Sequence, residues 1–113
     1  MSKGAEAERQ AAEFLLQRGL ALVDKNYRCR YGEIDLIMRE GSTLVFVEVR
    51  MRSRADFGGA AASIDAAKRG RLLRTAQHYL SALRNIPPCR FDALLVHSAD
   101  GAQIEWVRNA FGA

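Results

Sequence analysis

Leu44-Val45-Phe46-Val47-Glu48-Val49 is apolar on both faces, the pattern of a central strand covered from two sides, and Glu48 sits inside it. A carboxylate in such a place is costly unless it is paired, protonated or bound to a metal. Gly41-Ser42 fits a two-residue hairpin loop, with glycine at the first central position of a type II′ turn. That turn pairs Glu40 with Thr43, and the same register sets Asp35 opposite Glu48 and Glu33 opposite Arg50, the latter two expected as an ion pair. Alternation then puts all four of these side chains on one face. Two opposed carboxylates with Cβ atoms roughly 5 Å apart repel each other. They also match what a hard divalent cation requires. The alternatives are a pair that shares a proton and a pair quenched by a nearby arginine. The register is the decisive step, since a slip by one residue would split the pair across the sheet.

Two further charges fall on inward stripes. Glu8 shares a helical face with Gly4, Ala11, Ala12 and Leu15, whereas Glu6 lies with Arg9, Gln10 and Glu13 on the polar face. Glu8 is therefore expected to point inward, the alternative being a place at the stripe's edge from which it reaches solvent. Lys68 is the one charge on the stripe Ile64, Lys68, Leu72, Ala76, Tyr79 and Leu83. It is either a counter-charge to the carboxylates or a lysine snorkelling near its helix start. Arg69 and Arg74 fall off the stripe and are expected to face solvent, with Arg71 near its boundary.

The elements that must position these residues follow from periodicity and stop signals. Residues 5–18 read as a helix ended by Gly19, and 21–29, 33–40 and 43–52 as strands. Residues 53–62 read as a loop containing Gly58-Gly59. Residues 63–84 read as a second helix, stopped by Pro87-Pro88. Residues 89–97 alternate as a strand, and 103–108 form a short last one. The expected fold class is α/β, a mixed sheet flanked by helices in the order α-β-β-β-α-β-β.

At 113 residues the chain fits one domain, 1–113, with a single core. No apolar run approaches the roughly 20 residues of a membrane helix. The start Met1-Ser2-Lys3-Gly4-Ala5-Glu6 has no apolar h-region, so no secretory signal is expected. Cys29 and Cys89 are too few for a disulfide framework or zinc site and are expected to be reduced, buried thiols in a cytoplasmic protein. The net charge is +4, carried by fourteen Arg against three Lys. Arginine forks match phosphate bidentately, which points to an anionic partner, nucleic acid first; the alternative is a merely solvated basic surface. The expected contacts are Arg52, Arg54, Arg69 and Arg71, around the loop at 53–62.

Gly32-Glu33-Ile34-Asp35-Leu36-Ile37, then Val45-Phe46-Val47-Glu48-Val49-Arg50, then Cys89-Arg90-Phe91-Asp92, resemble the YraN-like bacterial family. That family is assigned to the restriction-endonuclease-like superfamily and is similar to archaeal Holliday-junction resolvases. The resemblance covers Gly4 to Phe111. It implies magnesium- or manganese-dependent phosphodiester hydrolysis, with Asp35, Glu48 and Glu8 as metal ligands and branched DNA as the substrate class. The superfamily's Glu-x-Lys reads Glu48-Val49-Arg50 here. Arginine stays protonated and cannot act as a base, though it can stabilise a phosphate or an attacking water. Lys68 could then stand in for the missing lysine. Three functions follow as expectations: a metal-dependent nuclease using Asp35, Glu48, Arg50 and Lys68; a non-catalytic nucleic-acid-binding module on a degenerate nuclease fold; or an interaction protein with a structural ion-pair cluster. A homodimer is expected where a domain this small must engage two DNA strands.

Overall fold

The structure is a computed structural model that describes residues 3–51, 64–97 and 103–111. Helix α1 (Lys3–Gln17) is followed by strands β1 (Ala21–Cys29), β2 (Gly32–Glu40) and β3 (Thr43–Met51). Helix α2 (Ala66–Leu80) then leads to β4 (Cys89–Val96) and β5 (Ile104–Phe111). The element order and the mixed α/β sheet are those expected from the sequence. The sheet runs β1-β2-β3-β4-β5, with β3 at its centre. Only the β3–β4 pair is parallel; the other three are antiparallel. That parallel step is the one that a crossover helix, α2, makes possible.

Each face of the sheet buries its own cluster. Ala11 and Leu15 of α1 pack with Leu36, Met38, Val45, Val47 and Leu94. Ile64, Leu72 and Ala76, from α2 and the residues before it, pack with Ile34, Ile37, Phe46 and Leu95. β3 contributes alternate residues to both, which is why its sequence carries no polar face. The Gly41-Ser42 turn holds Gly41 at φ +60°, as a II′ turn requires, and Glu40 pairs with Thr43.

Boundaries differ from the sequence reading for local reasons. α2 begins at Ala66 because the Asp65 side chain caps it, accepting from the Lys68 N–H at 2.8 Å. It ends at Leu80, before the prolines: the Ser81 hydroxyl donates to the His78 carbonyl at 2.7 Å and the chain turns. β5 runs to Phe111 rather than stopping at 108. Asn109, at φ +54°, takes up a register shift against β4, and its N–H donates to Asp92. No helix among the described residues is long and apolar enough to cross a membrane. The expectation of two buried cysteines is corrected: Cys29 is half-buried, and Cys89 is exposed at the start of β4. Arg52, Arg54 and the loop at 53–62 lie outside the described residues.

Candidate active site

β2 and β3 pair from Glu40–Thr43 to Leu36–Val47. Beyond that point the Val49 N–H donates to the Asp35 side chain, 2.8 Å, and the recorded pairing stops. The simple alternation assumed from sequence fails at this position. Ile34 packs in the cluster under α2, yet Leu36, two residues on, packs in the cluster under α1. Asn26 of β1, which the flanking pairs Lys25–Leu36 and Tyr27–Ile34 set opposite Asp35, has φ +52°. Asparagine tolerates that left-handed conformation better than most residues. The two strands kink together, and the kink brings carboxylates from both layers to one place.

An open recess there is lined by Gly4, Ala7 and Glu8 of α1, Asp35 of β2, Glu48 to Met51 of β3, and Lys68 of α2, enclosing about 300 Å³. Glu48 is buried. Lys68 Nζ lies 2.9 Å from Glu48 Oε2, an inward orientation consistent with its place on the helix stripe. This close approach is an ion contact rather than an aligned hydrogen bond, because Oε2 has no hydrogen-bond partner despite being buried. Arg50 Nε stands farther away, 4.0 Å from the same oxygen. Asp35 has its pKa pushed up to about 8, first by burial, then by hydrogen bonding and repulsion from the Glu48 carboxylate; the Val49 N–H opposes the shift. Asp35 and Glu48 therefore meet closely enough that they do not readily ionise together.

The remaining acids gather beside Asp35. Asn26 Nδ2 donates to Glu8 Oε1 at 2.8 Å and to Glu33 Oε1 at 3.4 Å. Glu8, Glu33 and Asp35 each place one carboxylate oxygen within 4.8 Å of the others. The expected Glu33–Arg50 ion pair is not formed. Glu33 pairs with Arg28 at 2.5 Å, its direct neighbour across the β1–β2 hairpin, while the β2–β3 ladder that would have carried it to Arg50 has already ended. Arg71 is exposed, but Arg69 is half-buried rather than solvent-facing, with a buried Nε. Sequence reasoning missed Asn26, whose signal was only an asparagine within a strand, and it missed Glu33 as a neighbour of Glu8.

The donor set suits a hard cation: oxygen ligands only, one buried carboxylate oxygen without a hydrogen bond, and two acids whose mutual repulsion a cation would relieve. Hydrogen bonding from Asn26 satisfies part of the acidic group by itself. Lys68 places a cation beside the acids already.

These features define a class: an α/β protein with an acidic recess, cornered by one lysine, where the central strands of a mixed sheet part. The chain belongs to the uncharacterised protein family UPF0102, whose profile matches residues 7–96. It is 63% identical over 110 residues to a UPF0102 protein of Nitrosomonas europaea, covering 97% of this chain and 93% of that one. A UPF0102 protein of Nitrosospira multiformis is 58% identical over 109 residues, covering 96% and 92%. One of Methylococcus capsulatus is 55% identical over 111 residues, covering 97% and 90%.

Proposed function

We propose that the protein is a cytoplasmic, metal-dependent nuclease of restriction-endonuclease-like type, hydrolysing phosphodiester bonds in DNA, branched DNA included. The observation that carries this reading is the meeting of Asp35, Glu48 and Lys68 in one open recess: two carboxyls that repel each other, beside an ammonium 2.9 Å from one of them. The resemblance of the Asp35 and Glu48 segments to nuclease motifs supports it, as does the arginine-rich charge.

Asp35 and Glu48, with Glu8 beside them, would hold magnesium or manganese. When bound, the cation supplies Lewis acidity and a water of lowered pKa. The chain's own residues do the rest. Glu48 is fixed in the central strand and cannot swing away. Asp35 is aimed by the Val49 N–H and must give up a proton before both acids can serve as ligands. Lys68 brings a positive charge to where a scissile phosphate would gain negative charge, and Arg50, always protonated, offsets the rest. A homodimer would present two such recesses to the two strands of a junction.

The second reading is a non-catalytic nucleic-acid-binding module. It is favoured by arginine at position 50 and by Lys68 being already engaged with Glu48. One assay separates the two: purified protein on linear and branched DNA, with magnesium, manganese or chelator, beside Asp35→Ala. Cation-dependent cleavage lost in Asp35→Ala is expected. Salt-dependent DNA binding with no cleavage under either cation would hand the case to the binding module, and no binding at all would sink both.

A further inference from the structure

The α2 face that starts at Lys68 does not end at the recess. Lys68, Arg71, Thr75 and His78 follow one another at helical spacing, and α2 carries Lys68, Arg69, Arg71 and Arg74 with no acidic residue. The β1–β2 turn lies against this face. A Cβ on Gly32 would stand 3.3 Å from Thr75 Oγ1 and 3.7 Å from Arg71 Cβ. The turn therefore brings Arg30 and Tyr31 alongside the helix. Tyr31 and His78 sit with ring centroids 6.3 Å apart. The Arg30 guanidinium lies over the Tyr31 ring, 4.9 Å from its centroid, and donates to the Tyr31 hydroxyl at 2.8 Å. Tyr27 anchors the group from below. Its hydroxyl meets His78 Nδ1 at 2.5 Å, and its ring packs edge-on against Tyr79, which in turn meets Phe46 of the core. Arg30, Arg71, Arg74 and His78 are exposed, and Tyr31 is half-buried.

We infer that this strip, from Lys68 along Arg71 and Arg74 to the Arg30–Tyr31–His78 platform, binds an unpaired DNA strand and leads it to the recess. Two features select that ligand. The arginines offer phosphate forks along a line. The tyrosine, histidine and stacked guanidinium offer flat faces at its far end, which only unstacked bases can use. A duplex keeps its base faces to itself and would leave the platform idle. The ten residue steps from Lys68 to His78 span about 15 Å. The inference rests on the nucleic-acid reading above and narrows its substrate to DNA with unpaired bases beside the cleaved bond, as at a branch, flap or gap.

The test is fluorescence anisotropy in chelator, so that no metal chemistry intervenes, with a short labelled oligothymidine strand and a blunt duplex of equal length. The strand should bind more tightly than the duplex. Tyr31→Leu should weaken strand binding about tenfold and leave duplex binding unchanged, while Tyr31→Phe, which keeps the ring, should bind as the parent does. Arg74→Ala should weaken strand binding and make its salt slope shallower by about 0.7. A duplex bound as tightly as the strand, or a Tyr31→Leu protein indistinguishable from the parent, would overturn the strip. Because cleavage is read separately through Asp35→Ala, a protein that cuts duplex DNA without Tyr31-dependent strand binding refutes the strip alone. One that binds strands through Tyr31 but never cuts refutes the nuclease alone.

Discussion

Burial and the neighbouring Glu48 carboxylate keep Asp35 protonated up to about pH 8. The sign of the resulting pH dependence follows from linkage. The folded state holds a proton that the unfolded chain releases near its ordinary value of about 4. The contribution to stability is whole below that value and is lost as pH rises towards about 8. Without divalent cations, the melting temperature should fall as pH is raised across this window, and Asp35→Asn, which cannot ionise, should flatten the profile. An unchanged slope in Asp35→Asn would show that other groups govern it. Lys68 supports a kinetic prediction. Its ammonium touches Glu48 whereas Arg50 stands off, so in the proposed nuclease Lys68→Ala should lower kcat about a hundredfold, with strand affinity falling no further than the loss of one phosphate contact. Arg50→Ala falling further than Lys68→Ala would move the role to Arg50. Lys68 was legible in the sequence because one charge interrupts an apolar stripe. The partner of Glu33 was not, because the register extended from the Gly41-Ser42 turn gave it Arg50, whereas the β1–β2 hairpin sets Arg28 opposite it.

Among the elements, β4 holds a second buried acid that sequence reasoning passed over, although Phe91-Asp92-Ala93-Leu94 gives the same signal as the segment around Glu48. Asp92 is fully buried and well satisfied. Its carboxylate accepts from Arg90 Nε at 3.0 Å, from Trp106 Nε1 at 2.9 Å and from the Asn109 N–H at 2.8 Å. Arg90 continues to Glu40, which also takes Arg108, so the β2–β3 turn, β4 and β5 are tied together. Asp92 is a clasp on the bulged edge strand, in contrast to the strained pair at the recess. Asp92→Ala leaves Arg90 with Glu40 alone and strands the Trp106 and Asn109 N–H groups, and should cost about 1–3 kcal/mol for each stranded donor in urea unfolding. Loss of less than about 1 kcal/mol would mean that water replaces the clasp. The centrality of β3 and the Gly41-Ser42 turn were legible because composition and turn chemistry are local. The paired kink at Asn26 and Asp35 was not, since it belongs to two strands at once.

For the molecule as a whole, the two apolar layers share β3 and β4, and neither closes without them. A chain ending at residue 88 lacks β4 and β5 and should show no cooperative thermal transition by circular dichroism. A sharp transition in it would mean that α1, β1, β2, β3 and α2 form a stable unit alone. The parallel β3–β4 pairing, Leu44 beside Cys89 to Met51 beside Val96, has a consequence for how the protein is made. The antiparallel hairpins need only neighbouring residues and can assemble as the chain leaves the ribosome. The parallel pair must wait until the helix between its strands has been synthesised and folded back, and contacts so distant in sequence form slowly. Until then β3, apolar on both faces, lies at an open sheet edge. A nascent chain in that state presents unpaired N–H and C=O groups along β3, a template for pairing with another chain until β4 covers it.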